Sequence, residues 1–427
     1  MSKIATKQGP AAEPSEPTAQ AHCRFCGAVL QDVFVDLGLS PLANNYVPAE
    51  RLAAGEMFFP LKVYVCRHCL LVQLEVFETP ENIFSDYAYF SSYSDSWLEH
   101  ARRYSENVIE RFKITGDSFV VEIASNDGYL LRNFTALNIP VLGIEPAANV
   151  AEAAVAKGIP TLVRFFGSDL AGELVRTRRP ADLIIGNNVL AHVPQLNDFV
   201  AGLKRLLNAQ GVITMEFPHL LRLMENNQFD TIYHEHFSYF SFFAVRRVFA
   251  AHELTIFDVD ELPTHGGSLR IYAGHAGDSS KSCTARVPDL EAREAALGLD
   301  RLDGYAGFAP RVIDTKSKLL SFLVEARREG KRVAAYGAAA KGNTLLNYCG
   351  VRTDFIEYVV DRSPEKQGKY LPGTRIPIRE PEHVRSTRPD YLLILPWNIK
   401  DEVMKQMAYI RSWGGRFVVP IPEVTVY

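Results

Sequence analysis

Short apolar runs alternate with stretches of helical periodicity through the centre of the chain. The apolar runs at 141–145 and 181–188 end in acidic or amide residues, the run at 119–123 leads into such residues, and another run covers 211–216. Buried strands that alternate with helices form parallel sheets covered on both faces, so the pattern predicts a doubly wound α/β domain. Helices are predicted at 96–112, from Tyr129 onward, at 147–157 and at 199–207, with one further strand at 161–163.

A second α/β unit is predicted near the C-terminus. Apolar runs at 332–336, 355–361 and 391–395 indicate strands, and the first leads into a loop rich in glycine and alanine. The stretch at 288–330, rich in Glu, Arg, Ala and Leu, predicts a helical connector to this unit.

The N-terminal region differs from both α/β units. Residues 21–80 contain short strand-like pieces broken by turns, while residues 1–20 are rich in Ala, Pro, Glu and Gln. A segment with so little apolar content cannot offset the entropy lost on ordering, so we expect a disordered tail there. The predicted organisation is this tail, a small domain at 21–80, a central domain at 81–287, and a connector with a C-terminal domain at 288–427.

Composition excludes several classes of protein. The chain has 427 residues and a formal net charge of -4, so it has no general attraction to nucleic acid or to an anionic membrane. No apolar run approaches the roughly 18 residues of a spanning helix, and the N-terminus lacks a secretory pattern. We therefore expect a cytoplasmic protein, a monomer or a small homo-oligomer, that binds neither nucleic acid nor membrane.

Four of the six cysteines form two close pairs, Cys23 with Cys26 and Cys66 with Cys69. Thiols stay reduced in the cytoplasm, and two Cys-x-x-Cys turns can complete a tetrahedral zinc site. A redox dithiol is the alternative, but no βαβ pattern surrounds either pair. His68 could replace one cysteine or simply be exposed. The pattern predicts a structural zinc ion.

The loop after the first central strand has the pattern of a cofactor site. Glu122 lies in the strand, Ser125, Asn126 and Gly128 lie in the loop, and Glu145 ends the next strand. Ligands bind at the carboxyl ends of such strands, where an acid about twenty residues on can hold ribose hydroxyls. The loop lacks the G-x-G-x-x-G of dinucleotide folds, so it favours S-adenosylmethionine as the cofactor. An acid-tipped strand in an unrelated α/β protein remains an alternative.

Two further positions extend the predicted cofactor site. Asn187 ends a later strand at the same edge of the sheet. Phe165 follows the short third strand and could cover an adenine face, although Phe165 and Phe166 could equally pack in the core.

The densest group of reactive side chains begins at Tyr233, with the sequence Tyr-His-Glu-His-Phe-Ser-Tyr. A zinc hydrolase would need His-Glu-x-x-His, which this spacing does not give. Three interpretations remain: a metal site that uses His234 and His236 on one strand face, a structural histidine pair, and acid–base chemistry. In the last, histidine takes a proton near pH 7, Glu235 orients it and tyrosine stabilises negative charge. His192 follows the fourth predicted strand and should reach the same edge.

Several motifs, in order, make the chain resemble the zinc-containing sugar C-methyltransferases of deoxysugar biosynthesis. They are the two Cys-x-x-Cys pairs, Asp86–Ser92 (DYAYFSS), Glu122–Gly128 (EIASNDG), Asn188–Val193 (NVLAHV), Tyr233–Tyr239 (YHEHFSY), His265–Arg270 (HGGSLR) and Gly337–Thr344 (GAAAKGNT). The resemblance covers nearly the whole chain after the tail. It implies a small zinc-binding N-terminal domain, a central Rossmann-like class I methyltransferase domain and a C-terminal Rossmann-like domain. The implied substrate is a nucleotide-diphosphate 4-keto-6-deoxyhexose.

The resemblance also implies roles for the clustered residues. His236 would be the general base that removes the proton beside the ketone, and Tyr233 and His192 would stabilise the enolate oxygen. Glu235 would hold a sugar hydroxyl or set the geometry, and Tyr87 would line the same pocket. The carbanion-like carbon would then attack the methyl group of S-adenosylmethionine. Four thiolates leave no open position on zinc, so the ion would have no chemical role.

Substrate contacts are expected from two further motifs. The glycine- and alanine-rich loop offers backbone donors at a helix start, with Lys341 and Asn343 beside them, and could hold a diphosphate. A degenerate cofactor fold that only packs is the alternative. His265 and Arg270 are predicted to contact the sugar.

Two other functions compete with C-methylation. The run from Gly337 to Gly342, followed by Asp361, would also suit an NAD(P)-dependent sugar-nucleotide oxidoreductase or epimerase. The chain could also be a non-catalytic sugar-nucleotide binding protein. The sequence leaves open the nucleotide base, the sugar and the choice between C3 and C5.

Overall fold

A computed structural model describes residues 20–79, 91–93 and 95–427. The predicted tail at 1–20 lies outside the described residues except for its last residue. Within the described ranges, no helix is long and apolar enough to cross a membrane.

The first sheet is small, antiparallel and assembled from two separate parts of the chain. Its strands, in the order β1-β2-β3-β9, are β1 Asp32–Ser40, β2 Phe59–Val65, β3 Val72–Leu74 and β9 Ser238–Tyr239. Three of them come from the predicted N-terminal domain, but β9 follows the His-Glu-His segment. This domain therefore shares its sheet with the segment that carries the reactive side chains.

The central sheet has seven strands in the order β10-β11-β8-β7-β4-β5-β6. They are β4 Val120–Ile123, β5 Val141–Ile144, β6 Thr161–Leu162, β7 Ala181–Asn187, β8 Leu207–Pro218, β10 Leu254–Leu262 and β11 Ser268–His275. Six of the strands run in one direction, and β11, between β10 and β8, runs in the opposite direction. The chain passes from β4 to β5 on one side and later to β7 on the other. Ligands bind at the carboxyl ends of strands where the order reverses in this way.

Apolar side chains that alternate along each strand bury both faces of this sheet. Val120 and Val141 belong to one apolar cluster, whereas Val121 and Leu142 belong to another. The covering helices are Asp95–Phe112, Arg132–Thr135, Ala148–Ala156, Ser168–Thr177, Leu196–Leu206 and Phe242–Ala251. The helix Leu220–Glu225, after β8, packs in a different apolar cluster. The helix predicted from Tyr129 starts only at Arg132, because turns continue through Leu131 after the left-handed residue Gly128.

The C-terminal sheet has six strands in the order β14-β13-β12-β15-β16-β17, parallel except for β17. The strands are β12 Val333–Tyr336, β13 Val359–Val360, β14 Ile378–Arg379, β15 Tyr391–Ile394, β16 Arg416–Val419 and β17 Thr425–Val426. Its helices are Ala340–Cys349, His383–Thr387 and Lys400–Gln406, and the connector contains the helices Arg286–Ala296 and Phe308–Arg328. The strand predicted at 355–361 was too long, because Phe355 and Ile356 both donate backbone N–H groups to Arg352 and close a turn.

One apolar cluster joins the first sheet to the C-terminal domain. Phe34 of β1 stacks on Phe308 of the connector with ring centroids 4.6 Å apart. The same cluster includes Val333 of β12 and Leu220. The small domain is therefore packed against both α/β domains.

The tight approach at Gly128 gives a prediction for alanine substitution. A Cβ on Gly128, whose φ is +76°, would lie 2.8 Å from Cγ1 of Ile159, while Gly158 has φ of +82° and open space around it. Both Gly→Ala changes incur left-handed strain of about 1–2 kcal/mol. Gly128→Ala should add roughly 1–3 kcal/mol of overpacking. Denaturant unfolding should therefore give Gly128→Ala the lower free energy of unfolding, and equal values for the two variants would contradict this.

Candidate active site

The four paired cysteines converge on one point. Their sulfur atoms all lie within 4.8 Å of one another, and Cys23–Cys69 and Cys26–Cys66 are each 3.5 Å apart. Thiolates about 2.3 Å from a shared zinc ion lie roughly 3.8 Å apart in a tetrahedron, so the set fits zinc. Among the described residues, no other group of three or more His, Cys, Asp or Glu side chains converges in this way.

Tight backbone turns aim the thiol groups at this point. Gly27 donates its N–H to the carbonyl of Cys23 at 2.9 Å, and Leu70 donates to that of Cys66 at 2.8 Å. Both donors have positive φ, which closes each turn. His68 is exposed and leaves the four sulfur atoms as the converging set.

The loop after β4 holds an unusual backbone. Ala124, Asn126 and Gly128 have φ of +56°, +49° and +76°. Left-handed conformations are costly for residues with a Cβ and concentrate at functional sites. The Glu145 carboxylate, which follows β5, accepts N–H groups from Asn126 and Ala147, each at 2.9 Å. The two strand ends are thereby joined at the carboxyl edge of the sheet.

Polar side chains at this edge are buried without partners. Both carboxylate oxygens of Glu122 and the hydroxyl of Ser125 have no hydrogen-bond partner. Burial raises the pKa of Glu122 well above its usual range, and the charges of Glu145 and Asp127 raise it further. Asn187, at the end of β7, is 8% exposed. Groups of this kind are costly to bury unless a ligand completes their hydrogen bonds.

The two phenylalanines after β6 behave differently. Phe166 packs against Phe199 with ring centroids 5.4 Å apart. Phe165 is 41% exposed. Phe166 therefore belongs to the core, and Phe165 is the ring left available to a ligand.

The His236 imidazole is fixed in one tautomer by the backbone. Its Nδ1 lies 2.7 Å from the carbonyl oxygen of Thr231. A carbonyl can only accept, so Nδ1 carries the proton and Nε2 carries the lone pair when the ring is neutral. Burial lowers the pKa of His236 well below 6.5, and nearby His192 and Lys341 lower it further. The ring is therefore neutral near pH 7, with Nε2 able to take a proton.

Two predicted partners lie against this ring. The Tyr233 and His192 rings have centroids 4.1 Å and 4.7 Å from that of His236. Burial lowers the pKa of His192 to about 4, partly offset by a hydrogen bond to the backbone of Glu235. The structure thus brings His192, after β7, together with the His-Glu-His segment at the carboxyl edge of the central sheet.

Glu235 and His234 face the N-terminal domain. The Glu235 carboxylate accepts a hydrogen bond from Asn44 Nδ2 at 2.6 Å. Burial raises the pKa of Glu235 to about 7, although the hydrogen bond from Asn44 partly offsets this increase. His234 instead donates from Nε2 to the Pro60 carbonyl at 3.2 Å and packs against Phe59. His234 and His236 therefore do not share a face, because the chain turns between them: His236 donates its N–H to the Tyr233 carbonyl at 2.9 Å.

Predicted substrate residues line the junction with the C-terminal domain. His265 Nε2 lies 3.1 Å from Asn188 Nδ2, and Lys341 Nζ lies 3.3 Å from Asn398 Oδ1. The buried amide of Asn343 has no partner for either its oxygen or its nitrogen. Burial lowers the pKa of Lys341, and the charge of Asp230 raises it.

Arg270 lies in a buried ionic cluster that sequence reasoning did not find. Its guanidinium donates to Glu216 Oε2 at 2.5 Å and packs over the Tyr104 ring at 4.3 Å. His100 lies 2.9 Å from the same carboxylate oxygen. Arg270 is thus engaged by protein groups, and its predicted contact with the sugar stays a prediction. Helical spacing indicates only its helix side, since Trp97, His100 and Tyr104 recur on one face, whereas Glu216 and Arg270 come from distant strands.

Tyr87, predicted to line the pocket, lies outside the described residues. Ser91 and Ser92 contact the loop after β4. Ser91 donates its N–H to Asn126 Oδ1 at 2.8 Å, and the Ser92 hydroxyl bonds to Asp127.

Comparison with known proteins identifies the family. Residues 23–84 match the family "Putative zinc binding domain", 97–259 match "Methyltransferase domain" and 263–422 match "C-methyltransferase C-terminal domain". C-methyltransferase NovU from Streptomyces niveus is 37% identical over 404 residues, which cover 95% of this chain and 96% of that protein. The chain belongs to the C-methyltransferase family. The predicted resemblance is confirmed at this level.

Comparison with solved structures gives weaker likenesses. The PH0226 protein from Pyrococcus horikoshii is 14% identical, covers 47% of this chain and 99% of its own, and has a TM-score of 0.37. Magnesium protoporphyrin IX methyltransferase from Synechocystis, solved with bound S-adenosylmethionine, is 14% identical, covers 45% and 88%, and has a TM-score of 0.32. Scores this low carry no argument about this C-methyltransferase.

The loop after β4 suits the cofactor of a C-methyltransferase. S-adenosylmethionine carries a sulfonium and an ammonium group, and the unpartnered Glu122 carboxylate would meet positive charge there. Glu145 retains lone pairs for ribose hydroxyls. The chain is accordingly an S-adenosylmethionine-dependent C-methyltransferase with a zinc-binding domain, and the predicted α/β fold and both cofactors are confirmed. The individual contacts with the cofactor stay predictions for every residue of the predicted site: Glu122, Ser125, Asn126, Gly128, Glu145, Phe165 and Asn187.

Removal of the Glu122 charge should weaken cofactor binding without destabilising the free protein. Calorimetry should show S-adenosylmethionine binding to Glu122→Gln roughly tenfold weaker or more, the usual effect of losing a bond to a charged group. The free energy of unfolding of the free enzyme should stay equal or rise, because the buried carboxyl has no partner to lose. Glu152→Gln, on the exposed face of the helix Ala148–Ala156, is the control. Equal affinity for both variants would contradict the assignment.

Proposed function

We propose that this C-methyltransferase methylates a nucleotide-diphosphate 4-keto-6-deoxy sugar at the carbon beside the ketone, C3 in preference to C5. The observation that supports this most is the fixed tautomer of His236, whose Nδ1–H is held by Thr231. A neutral imidazole with its lone pair on Nε2 is the general base that such a carbon acid needs.

Tyr233 is the proposed donor to the enolate oxygen that forms when the proton leaves. Its ring lies against His236, so the hydroxyl and the base share one pocket. His192 already uses one ring nitrogen on the backbone of Glu235, and a neutral imidazole has a single N–H. We therefore propose that Tyr233 donates the hydrogen bond to the enolate oxygen and that His192 supports the His236 ring by packing against it. Glu235 would hold a sugar hydroxyl, and Tyr87 keeps its proposed place in the pocket.

The deprotonated carbon then needs a methyl donor on its other side. S-adenosylmethionine supplies an electrophilic methyl group when it is bound. Glu122 and Glu145 would hold the cofactor at the carboxyl edge, where His192 also lies. Positioning of the two reactants in one pocket supplies much of the rate.

The C-terminal domain is proposed to hold the diphosphate through Lys341 and the unpartnered amide of Asn343. Family membership argues against both the oxidoreductase alternative and a non-catalytic binding protein.

Replacement of the proposed base should abolish proton removal. His236→Asn should slow solvent-deuterium exchange at the carbon beside the ketone by about 10²–10⁴-fold, the usual contribution of a general base. Mass spectrometry of a thymidine- or guanosine-diphosphate keto-sugar incubated in D₂O would measure it. His275→Asn, on β11 beside the Leu207 carbonyl, should leave exchange unchanged. Normal exchange and methylation in His236→Asn would exclude His236 as the base.

The pH profile should separate His236 from Glu235. The pKa of His236 lies well below 6.5, so the base should stay active as pH falls through that value and be lost only in more acidic solution. Any inflection of kcat/KM near pH 7 should arise from Glu235, because burial raises the pKa of that carboxyl to about 7. In Glu235→Gln, that inflection should vanish from the profile of kcat/KM while the acidic limb remains. A limb at 6.5 or above that persists in Glu235→Gln would contradict these assignments.

A further inference from the structure

A buried glutamine joins the zinc site to the strand that follows His236. Gln73, in β3, is 1% exposed. Its Nε2 donates to the sulfur of Cys23 at 3.1 Å, and its Oε1 accepts the backbone N–H of Arg24 at 2.9 Å. One side chain thus holds both a metal-binding sulfur and the turn beside it.

The backbone of the same residue pairs with the active-site segment. Gln73 lies opposite Ser238 in the antiparallel pairing of β3 with β9. The next residue, Leu74, donates its N–H to the Phe237 carbonyl at 3.0 Å. Phe237 directly follows His236, so it is the single residue between the proposed base and Ser238, the strand partner of Gln73.

Phe237 is also tied to the central sheet. Its N–H donates to the Ala191 carbonyl at 2.8 Å, and Ala191 directly precedes His192. Phe237 is therefore held by the methyltransferase domain through its N–H and by the zinc-binding domain through its carbonyl. A shift of β3 would move Phe237, and with it the His236 ring relative to His192.

Arg24 adds a second contact between the same parts. Its guanidinium donates to the Leu74 carbonyl and lies 5.5 Å above the Phe237 ring. Arg24 is itself placed by the Gln73 bond to its N–H. Loss of Gln73 would leave that half-buried donor and the sulfur of Cys23 without this partner, an arrangement that usually costs free energy.

We propose that Gln73 is a positioning residue that couples the zinc site to the placement of His236. Zinc and its sulfur ligands fix Gln73, Gln73 fixes β3, and β3 holds β9 and Phe237 at the distance from Ala191 that catalysis needs. The catalytic part of this proposal rests on the proposed function, while the coupling itself depends only on the contacts described. Zinc would thereby set active-site geometry without touching substrate.

The test uses full-length zinc-loaded enzyme and three variants. Gln73→Leu removes the side-chain hydrogen bonds to Cys23, Arg24 and the Leu71 carbonyl at similar volume. Gln73→Glu keeps the acceptor for Arg24 but replaces the donor to sulfur with a carboxylate. Gln31→Leu, at an exposed position of the same domain, is the matched control. Calorimetry with S-adenosylhomocysteine shows whether the central domain of each variant is folded.

Three readouts are then compared with the control. The equilibrium constant for zinc transfer to a colorimetric chelator should rise roughly 10–100-fold, the usual loss of metal affinity when a residue that hydrogen-bonds to a metal ligand is replaced. Backbone hydrogen exchange should accelerate at 72–74 and 237–239 but not at 120–123. The rate of substrate deuterium exchange should fall with little change in cofactor affinity. If Gln73→Leu does not fold, Gln73→Glu decides the outcome.

Unchanged zinc transfer and unchanged exchange at 237–239 in a folded Gln73 variant would overturn the coupling, whatever His236 does. Weakened zinc binding with exchange at 237–239 as slow as in the control would show that Gln73 serves the metal alone and would also overturn it. Accelerated exchange at 237–239 with normal turnover in His236→Asn would instead leave the coupling standing and refute the proposed base.

Discussion

The backbone of Phe237 is the constraint on which the arrangement of this C-methyltransferase depends. Its N–H bonds to Ala191 in the methyltransferase domain and its carbonyl accepts the N–H of Leu74 in the zinc-binding domain. His236 directly precedes Phe237 in the chain, and His192 directly follows Ala191. Their rings meet with centroids 4.7 Å apart because both backbones are held at this point. Three domains surround the pocket, but this one pairing sets the distance between its imidazoles.

Burial then decides the charge states of the groups so placed. An imidazole taken out of water loses the hydration that stabilises its charged form, which lowers the pKa of both histidines. The same effect raises the pKa of Glu122 and Glu235. In the free enzyme, these four side chains are therefore mostly uncharged. The Glu122 carboxyl, which has no hydrogen-bond partner, is available to a cationic cofactor. One physical cause, burial, thus keeps the imidazoles neutral and leaves the Glu122 carboxyl available to the proposed cation site.

Local sequence patterns predicted much of this architecture, and long-range contacts account for what they did not predict. Strands such as 120–123 and 181–187 are mostly apolar runs, and the cysteine pairs are defined by spacing, so both were visible in the sequence. The joining of β9 to the zinc-domain sheet pairs residues far apart in the chain, and two-residue strands have no periodicity to detect. The Glu216–Arg270–His100 cluster likewise brings together three separate elements. The tautomer of His236 depends on a backbone carbonyl, which carries no side-chain signal.

The central claim is that His236 enters the reaction neutral, with its proton on Nδ1. Nitrogen-15 NMR of the histidine-labelled full-length enzyme, with the His236 signal assigned by its loss in a substituted variant, observes this directly. At pH 7 with S-adenosylhomocysteine bound, we predict a protonated Nδ1 bonded to the Thr231 carbonyl and an unprotonated Nε2. A proton on Nε2, or an imidazolium ring at that pH, would contradict the account.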